Sequence, residues 1–447
     1  MRKIAIVGSG QGGLLAAHAL LQAGYPVTLY SDRSAEDWLE HGRPTGTAVR
    51  FARSLAYERR LGLSHWDDRA PRMDGMKVTI CSHPAKPLLA LFGRFAVSPL
   101  AIDLRLQSAR WMRDFASAGG RLIIEKVSSE RIAEIARENE LTIVATGKDG
   151  GALFPRDEQK SPATRPLRQL AMVNCAGPKM LFSDVPYAAA KFTVFEGLGE
   201  CYWTPYFHKD EKPLWNLVFE AKPGTPYDRF GAARSGEDVL RIAKETVREM
   251  MPWDFAWLEG ATLADPNSWL IGSITPTVRD PAGYMPDGRS VVPLGDAYIA
   301  FDPLGAQGAN IGNRLAETLT EAIVARKNGE FHRSWIRSVY EPFFERWAWP
   351  AIRWTHLLLE PMGPAARYLF LAQEGADGTT VGGTPKQKLA DAFAANFDDP
   401  IRLVDTLKSF SRTRRYVSEV MGTGSDWEVA KRFFAVGGRQ LKNTLSL

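Results

Sequence analysis

The first 32 residues constrain the fold of this chain more than any other stretch. The apolar run Lys3–Val7 leads into a glycine-rich turn, Gly8–Gly13, and then into the helix-like run Leu14–Leu21. A continuous apolar strand of this kind is typical of a parallel sheet that is buried on both faces. A second apolar run, Pro26–Tyr30, follows and leads to Asp32. The stretch therefore predicts a β-α-β unit with a GxGxxG turn between its first strand and its helix.

The spacing within this unit predicts a dinucleotide site. Gly8, Gly10 and Gly13 let the backbone approach a pyrophosphate at the start of the helix, where Gln11 also lies. Asp32 follows Gly13 by 19 residues, the distance expected of an acid that binds the adenosine ribose. A GxGxxG motif alone is a weak signal. Between a strand and a helix, with the acid in place, it is a strong one.

A second constraint comes nearly 300 residues later. The apolar run Val291–Leu294 ends in Gly295 and Asp296, and a small-residue loop then leads to an amphipathic helix that opens at Asn310. This order brings together a strand end, a carboxylate and a helix N-terminus, which offers free N–H groups and about half a positive charge. A carboxylate suits the hydroxyls of a ribityl chain, and the positive helix end suits an anionic reduced flavin ring. The two motifs together favour FAD over NAD.

Two further places along the chain are candidate cofactor contacts. Arg105 and Gln107 lie on the first turns of a helix that starts at Asp103, where they contact either a cofactor or, as an equally good interpretation, solvent. The strand Leu141–Gly147 ends in small residues, among them Thr146, which let the edge of a sheet approach a cofactor.

The order of these patterns predicts an α/β protein with a discontinuous, Rossmann-like FAD-binding domain at residues 1–165 and 291–330. A β-rich segment, 166–290, is expected to form an inserted mixed β-sheet substrate domain, and residues 331–447 a helical C-terminal region. A cleft between the FAD-binding domain and the inserted sheet is the expected place for a substrate.

Composition excludes several other classes of protein. The chain of 447 residues is 45% hydrophobic and 24% charged, which is typical of a soluble globular protein. Nine Lys/Arg and four Asp/Glu fall in residues 401–447, so the basic excess belongs to the tail and is weak evidence for nucleic acid. The three cysteines and seven histidines show no ligand spacing, so we expect no metal. The low cysteine count fits the cytoplasm, and no apolar run is long enough to span a membrane.

Over nearly its full length the chain resembles the oxygenase component of the two-component styrene/indole monooxygenase family. The segments that carry the resemblance are Gly8–Gly13, Tyr30–Arg33, Gly42–Arg43, Asp103–Arg110, Ala145–Lys148, Pro276–Arg279, Gly295–Asp296, Asp302–Asn310, Arg353–Thr355 and Ala394–Pro400. The tail beyond about residue 417 resembles an extension of the family pattern.

The resemblance implies further site residues. Those that it adds to the cofactor contacts are Arg33, Arg43, Pro303, Gly305, Gln307, Gly308, Ala309 and Asn310. Those that it places around the substrate are Gly46, Thr47, Ala48, Arg50, Met73, Met76 and Pro99.

The chemistry that the resemblance implies needs a partner protein. A separate NADH-dependent flavin reductase supplies reduced FAD, and the oxygenase adds O2 and holds a C4a-hydroperoxide. That electrophile epoxidises the double bond of an apolar aromatic substrate such as styrene or indole, or oxidises sulfur. Because the flavin itself carries the reactive oxygen, no acid–base side chain is required, and we expect no catalytic residue beyond those that exclude water and place the substrate. A homodimer is compatible with this assignment.

The sequence departs from the family in the substrate loop. The family carries a polar Asn or Ser, then an aliphatic residue or Gln, then His or Met, where this chain has Gly46, Ala48 and Arg50. The two small residues predict extra room for the substrate. Arg50 has three interpretations, which are a flavin contact, a contact to an acidic substrate and a surface residue. The family's glycine before the glutamine is replaced by Ala306, with Gly305 one place earlier.

Two other classes of function stay open at this point. One is a flavoprotein that reduces or dehydrogenates its substrate without activating oxygen, which would hold a tight flavin reducible by NADPH alone. The other is a binding protein that retains the Rossmann unit and fails to bind reduced FAD.

Overall fold

The computed structural model describes residues 2–147, 153–285 and 288–445, and these ranges form two sheets, two short two-stranded ribbons and a series of helices. The strands are, in chain order, β1 (Ile4–Val7), β2 (Val27–Ser31), β3 (Val49–Arg50), β4 (Gly75–His83), β5 (Lys86–Arg94), β6 (Leu100–Ala101), β7 (Arg121–Ile124), β8 (Leu141–Val144), β9 (Gln169–Ala176), β10 (Ala189–Phe195), β11 (Gly199–Phe207), β12 (Pro213–Ala221), β13 (Thr262–Leu263), β14 (Trp269–Ser273), β15 (Thr277–Val278), β16 (Gly283–Tyr284), β17 (Ser290–Pro293) and β18 (Ile299–Ala300).

Helices are concentrated in the last third of the chain. They are, in chain order, α1 (Gln11–Gln22), α2 (Ala35–Glu40), α3 (Ala52–Arg60), α4 (Leu104–Ser117), α5 (Ser129–Glu138), α6 (Gly236–Met250), α7 (Pro252–Leu258), α8 (Gly308–Arg326), α9 (Arg333–Phe343), α10 (Trp349–Leu359), α11 (Pro364–Ala372), α12 (Pro385–Ala395), α13 (Ile401–Leu407), α14 (Phe410–Met421) and α15 (Ser425–Leu445).

The first sheet has six strands in the order β16, β17, β8, β1, β2 and β7. All its pairs are parallel except β16 with β17. Ile4 and Ile6 of β1 pack into the core that α1 and α8 share, while Ala5 and Val7 face the core under α5. Burial on both faces explains why this strand is apolar at every position. The predicted Rossmann-like α/β architecture is therefore confirmed.

The second sheet has eight strands. Seven follow the order β13, β9, β12, β11, β10, β4 and β5, and β14 also pairs with β9. Its pairs are antiparallel except β10 with β4, so the sheet is mixed, as expected for the region after residue 165. One face packs against α6 and α7 around the buried side chains of Trp203 and Trp215. The other face carries the polar side chains described below.

The boundary between the sheets differs from the boundary expected between the domains. β4 and β5 lie within residues 1–165 but pair with the second sheet, and β16 lies within residues 166–290 but pairs with the first. β4 joins the second sheet because its apolar residues, such as Met76 and Val78, pack against the C-terminal helices. The assignment of each range to cofactor or substrate stays a prediction.

The C-terminal region is helical, as the sequence predicts, and its helices cover β4 and β5. Trp354 of α10 is fully buried and contacts Phe393 and Phe397 edge-on, at ring-centroid distances of 5.4 and 5.2 Å. This aromatic core brings residues 393–400 next to α10 and to the loop before α8. The C-terminal region thus supports the part of the chain that the second motif occupies.

Two general properties concern the described ranges alone. None of their helices combines the length and the apolar character that a membrane span requires. Nor do three or more His, Cys, Asp or Glu side chains converge there in a way that could hold a metal ion.

Candidate active site

The turn after β1 is shaped by contacts that leave no room for side chains. Gly8 has a φ of +117°, and a Cβ there would lie 2.4 Å from the carbonyl oxygen of Ala145. A Cβ on Gly13 would lie 2.1 Å from the carbonyl oxygen of Gly8. Gly10 differs, because no atom beyond its chain neighbours lies within 4 Å of the place its Cβ would take. The turn is packed against the end of β8 and open at Gly10, where a pyrophosphate would approach the backbone.

This contrast gives a matched pair of variants. We expect Gly13→Ala to destabilise the protein by about 1–3 kcal/mol or more, because its Cβ would meet backbone that cannot move aside. We expect Gly10→Ala to leave the free energy of unfolding unchanged and to weaken FAD binding, because its methyl group would occupy the open side of the turn. Urea unfolding and FAD titration measure the two effects. Equal FAD affinity in Gly10→Ala and the wild type would contradict the placement of the pyrophosphate.

The start of α1 has donors without acceptors. Its N-cap residue is Gly10, which has no side chain to accept an N–H of the first turn. The side-chain Nε2 of Gln11 is shielded from solvent and has no hydrogen-bond partner. Free N–H groups and the positive end of the helix dipole together attract an anion. An orphaned donor beside them fits a phosphate oxygen.

The end of β2 presents an accessible carboxylate. Asp32 accepts two hydrogen bonds from Arg33, at 3.1 Å from Nε and 2.7 Å from Nη2, yet its side chain stays 47% exposed. The guanidinium of Arg33 lies 4.6 Å from the ring centroid of Trp38 on α2. Arg33 therefore holds the carboxylate at the strand end and leaves it open to the hydroxyl groups of a ribose.

The second motif meets the start of a helix, as the sequence predicts. After β17, Gly295 and Asp296 form a single turn. A Cβ built on Gly308, the first residue of α8, would lie 3.9 Å from Oδ1 of Asp296. α8 has no side-chain cap, so the first-turn N–H groups of Gly308 and Ala309 have no acceptor within the helix. The structure thus places a carboxylate beside a free helix N-terminus.

Asp296 combines an exposed side chain with strong desolvation, from which we infer a concave surface around it. Desolvation by the surrounding protein raises the pKa of Asp296 to about 6 and outweighs the attraction of Arg279. The side chain is nevertheless exposed to solvent. A carboxylate at the bottom of an open cradle satisfies both observations, because water reaches it although protein surrounds it on most sides. Within residues 2–147, 153–285 and 288–445, no protein group donates a hydrogen bond to this carboxylate, so its acceptors face the cradle.

The loop before α8 is shaped by close packing. Asp302 accepts an N–H of the turn Pro303–Gly305 through Oδ1, at 3.1 Å. A Cβ on Gly305 would lie 2.2 Å from Oγ1 of Thr355, so α10 lies directly against the loop. Ala306 has a φ of +52°, in the left-handed region that glycine prefers. Gly305 therefore lies where Thr355 leaves no room for a side chain, and Ala306 adopts the strained backbone angle.

The amide side chains of this loop bond to protein. Gln307 donates from Nε2 to the carbonyl oxygens of Gly305 and Phe397, at 2.7 and 2.9 Å. Asn310 accepts the N–H of Phe51 at 3.0 Å and donates to the carbonyl of Val49 at 2.8 Å. These side chains fix the loop against the C-terminal region and against β3. Their direct contact with a cofactor stays a prediction, and the backbone N–H groups at the start of α8 are the better placed donors.

Arg50 is buried and paired with a carboxylate. Its side chain is 2% exposed, and Nε lies 2.7 Å from Oε1 of Glu58 on α3. Nη1 donates to the carbonyl oxygen of Ala48 at 3.1 Å, and Asn313 of α8 donates to Glu58 at 3.2 Å. The interpretation as a surface residue is therefore wrong. Arg50 holds the substrate loop against two helices, and its place in the pocket wall stays a prediction.

Arg105 is likewise buried and paired. Its guanidinium bonds to Asp103 and to Asp265, with Nη2 at 2.7 and 2.9 Å from a carboxylate oxygen of each. His208 and Ser268 complete this network, which joins α4 to the turn before β14. The alternative of a solvated helix face is wrong, because Arg105 has no exposed surface. A contact with the cofactor stays a prediction, and the structure shows a joint between the two sheets.

The remaining expected cofactor residues fall in two places. Thr146 and Gly147 follow β8, and the backbone nitrogen of Thr146 would lie 3.1 Å from a Cβ on Gly8. They therefore flank the glycine turn, whereas Lys148 lies outside the described residues. Arg43 is exposed, and its guanidinium lies 4.6 Å from the ring centroid of Trp269 on β14.

The expected substrate loop contacts the second sheet. β3 pairs with β6, which begins directly after Pro99, so Gly46–Arg50 and Pro99 are neighbours. Oγ1 of Thr47 donates to Oδ1 of Asn216 on β12 at 2.6 Å. No atom beyond the chain neighbours lies within 4 Å of a Cβ on Gly46, which agrees with the expected room.

Met73 and Met76 lie at the start of β4. Both are buried, with 2% and 4% exposure. Met76 packs with Phe51, which follows the substrate loop and bonds to Asn310. Met76 is thus near the loop, and a place for Met73 beside the substrate stays a prediction.

One face of the second sheet carries polar side chains that were not predicted from the sequence. Asn216 donates from Nδ2 to Oδ1 of Asn174 on β9 at 2.6 Å, which extends the chain of hydrogen bonds from Thr47. Tyr202 of β11 donates to Glu220 of β12 at 2.6 Å. One feature of the sequence indicates this polar face. Asn216 and Glu220 lie four residues apart in an otherwise apolar strand, and residues at this spacing share one face of a strand.

The residues present fit FAD. The open glycine turn and the orphaned donor of Gln11 suit the pyrophosphate, and the accessible carboxylate of Asp32 suits the adenosine ribose. The exposed carboxylate of Asp296 suits the hydroxyls of the ribityl chain, and the free start of α8 beside it suits the flavin ring.

Comparison with known proteins supports the same cofactor. The family model "Styrene monooxygenase A putative substrate binding domain" matches residues 147–256. Styrene monooxygenase StyA of Pseudomonas fluorescens is 25% identical over 440 residues, which cover 94% of this chain and 99% of that protein. StyA of a Pseudomonas species is 25% identical over 439 residues, with coverages of 94% and 99%.

Solved structures with a similar fold are flavoproteins. A triple mutant of the flavin-dependent brominase Bmp2 has a TM-score of 0.63 at 12% identity, covering 93% of this chain and 99% of that one. A flavoprotein/dehydrogenase from Cytophaga hutchinsonii has a TM-score of 0.65 at 10% identity, with coverages of 94% and 98%. At these identities the likeness shows the fold alone.

Fold, cradle and relatives together define a flavoprotein monooxygenase of the two-component class, with FAD as its cofactor. The match to StyA extends over nearly the whole of both chains, beyond the residues that the family model covers. The chain is therefore similar to the styrene monooxygenases over nearly its whole length, and the match to their substrate-binding domain lies within that similarity.

Proposed function

We propose that this enzyme takes reduced FAD from a separate NADH-dependent flavin reductase and uses O2 to oxygenate an apolar aromatic substrate that resembles styrene or indole. The carrying observation is the cradle that holds Asp296 beside the free start of α8. In this proposal the flavin ring lies in that cradle. The sequence contains one GxGxxG motif and so offers one dinucleotide site, which leaves nicotinamide oxidation to a partner.

The residues of the chain bind and orient the cofactor. In this proposal Gly8, Gly10, Gln11 and Gly13 hold the pyrophosphate, and Asp32 holds the adenosine ribose. When bound, the reduced flavin reacts with O2 and supplies the electrophilic oxygen atom.

The flavin half is held by the second motif. Asp296 accepts hydroxyl groups of the ribityl chain, and the N–H groups of Gly308 and Ala309 stabilise negative charge on the ring. The loop Pro303–Gly305, backed by Thr355, excludes water from that side.

The substrate lies, in this proposal, between the flavin and the polar face of the second sheet. The domain that the family model describes supplies β9 to β12, and the substrate loop bonds to β12 through Thr47 and Asn216. Gly46 and Ala48 leave room for a bicyclic or aryl group. Epoxidation of a double bond and oxidation of sulfur are the reactions that this environment supports.

The proposal is tested with purified protein and any flavin reductase that releases reduced FAD. We expect oxygenated products from at least one of styrene, indole and an aryl methyl sulfide, and none when the reductase is omitted. Consumption of NADH without product from any of the three would contradict the proposed substrate class.

The dependence on a partner has its own prediction. We expect that NADH or NADPH alone will not bleach FAD bound to the purified protein at a useful rate, because the chain has a single dinucleotide motif. Stopped-flow absorbance of the flavin measures this, with an added flavin reductase as the positive control. Rapid bleaching without the reductase would instead favour a self-contained reductase or dehydrogenase.

A further inference from the structure

Three carboxyl groups meet where the second sheet contacts the loop before α8. Glu200 of β11 and Glu220 of β12 are directly opposite each other in the strand register, and Asp302 opens the loop. Their exposures are 4%, 0% and 1%. Like charges in direct opposition across a strand pair are destabilising, and buried charges require partners. Something must therefore neutralise this cluster.

One arginine neutralises one of the three groups. Arg168 forms a two-pronged contact with Glu200, at 2.8 and 3.0 Å, and leaves Glu220 and Asp302 without a salt bridge to it. Glu220 accepts a hydrogen bond from Tyr202 at 2.6 Å, and Asp302 accepts one from the loop backbone. The second oxygen of each carboxyl group, Oε2 of Glu220 and Oδ2 of Asp302, is buried without a partner.

The two unsatisfied oxygens belong to carboxyl groups that lie within hydrogen-bonding reach of each other, so a bond between them forms only when one group holds a proton. Burial raises the pKa of Glu220 well above its usual value, and Asp302 and Glu200 raise it further. Burial also raises the pKa of Asp302. Two buried carboxylates in contact cannot both be ionised at modest cost, and a single proton between them removes the repulsion and satisfies both oxygens.

We propose that Glu220 and Asp302 share one proton and that this carboxyl pair positions the Pro303–Gly305 turn for the flavin. Asp302 is the link, because Oδ1 caps the turn, Oδ2 has no other partner and the carboxyl group interacts with Glu220. Glu220 is thus a positioning residue that acts through Asp302. The inference rests on the proposed function in one respect, which is that the turn borders the bound flavin.

The pair predicts a loss of FAD affinity at alkaline pH. Tyr202 and Glu200 face Glu220 from β11, Arg168 faces the cluster from the segment before β9, and Asp302 faces it from the loop. When the shared proton leaves, two negative charges repel each other across the contact, and Asp302 is pushed away from the sheet together with the turn. Because Asp296 titrates near pH 6, its effect falls in a separate range.

The test compares the full-length wild type with Glu220→Gln and Asp302→Asn, by titration of oxidised FAD from pH 5 to pH 10. We expect the wild-type Kd to rise about tenfold on the alkaline side, the effect of one lost buried hydrogen bond. Glu220→Gln keeps a neutral donor towards Asp302, so we expect neutral-pH affinity within about twofold of the wild type and no alkaline rise. Asp296→Asn is the matched control and should keep the alkaline rise.

Infrared difference spectra of the FAD-free proteins give a second measurement that needs no activity. The wild type minus Glu220→Gln should show the carbonyl band of a protonated carboxyl group at neutral pH. An alkaline rise in Kd that persists in both Glu220→Gln and Asp302→Asn, or the absence of this band, would overturn the shared proton. Absence of FAD binding at every pH would instead contradict the proposed function, while the infrared measurement would still decide on the pair.

Discussion

Replacing Arg50 by methionine should destabilise the protein by about 3–5 kcal/mol at pH 8, since this leaves Glu58 as a buried carboxylate without its cation. Arg50 and Glu58 have side chains 2% and 3% exposed and lie 2.7 Å apart. The loss of Arg50 should also loosen the substrate loop, because its Nη1 bonds to Ala48. Urea unfolding followed by tryptophan fluorescence measures the first effect.

The pH dependence of this loss is part of the prediction. Burial raises the pKa of Glu58 to about 7, and Arg50 opposes that rise. A raised pKa means that Glu58 holds its proton more tightly in the folded state than in the unfolded state. The stabilising effect of this proton is therefore complete below the pKa that Glu58 has in the unfolded chain, and it is lost as the pH rises through about 7. Arg50→Met should therefore cost least near pH 5, where Glu58 is neutral.

A double variant provides the control. Arg50→Met together with Glu58→Leu removes both charges, and buried ion pairs replaced by apolar groups are often neutral or stabilising. We expect the double variant to recover most of the stability. If Arg50→Met alone kept the stability of the wild type at pH 8, the buried ion pair with Glu58 would not stabilise the fold, and this account of Arg50 would be wrong.

Replacing Asp296 by alanine should weaken FAD binding about tenfold or more, since a partnered buried group contributes about 1–3 kcal/mol. The carboxylate is exposed in its cradle and has no hydrogen-bond donor from the described ranges, so its removal should leave the fold intact. Fluorescence quenching of FAD measures the affinity. An unchanged Kd would place the ribityl chain elsewhere.

Asp296→Asn separates charge from shape. In the wild type, FAD affinity should increase from pH 5 to pH 7, because the ionised carboxylate is the better acceptor and its pKa is about 6. The asparagine variant should lack this increase. The raised pKa also implies that ionised Asp296 reduces the stability of the free protein, so Asp296→Asn should unfold at higher urea concentration at pH 8 than the wild type does.

The parts of the fold that sequence analysis predicted are those where local pattern and chain order are sufficient. The glycine turn lies between β1 and α1 as expected, and the Gly295–Asp296 turn lies beside the start of α8. Each of the two turns follows a strand that is recognisable as an apolar run. Parallel strands end at the same edge of a sheet, so the two turns are expected at one edge. The strand β5 was missed, since its burial comes from helices almost 300 residues away.

Side-chain environments were harder to predict than elements. From the sequence, Arg50 and Arg105 were interpreted as surface or ligand-facing groups, because arginine is rarely buried. Their burial depends on elements that only the fold brings together. Asp265 is 160 residues from Arg105, so the pairing exists only once both sheets are in place. Asn310 and Gln307 were interpreted as ligand contacts, because the protein groups that they bond to are distant in the sequence. In the structure their amides donate to the carbonyl oxygens of Val49 and Phe397.

The cofactor motifs, the α/β class and the resemblance to the styrene monooxygenases follow from the amino-acid sequence alone, because glycine spacing, apolar runs and chain order are local properties of the chain. Which charges are buried, and which groups neutralise them, depends on the folded protein. Glu220 and Asp302 are 82 positions apart in the sequence. They meet because β12 lies inside the second sheet and the loop before α8 packs against that sheet. The desolvation of a group depends on the residues that surround it in the folded protein and not on its neighbours in the sequence, so no local sequence pattern predicts it.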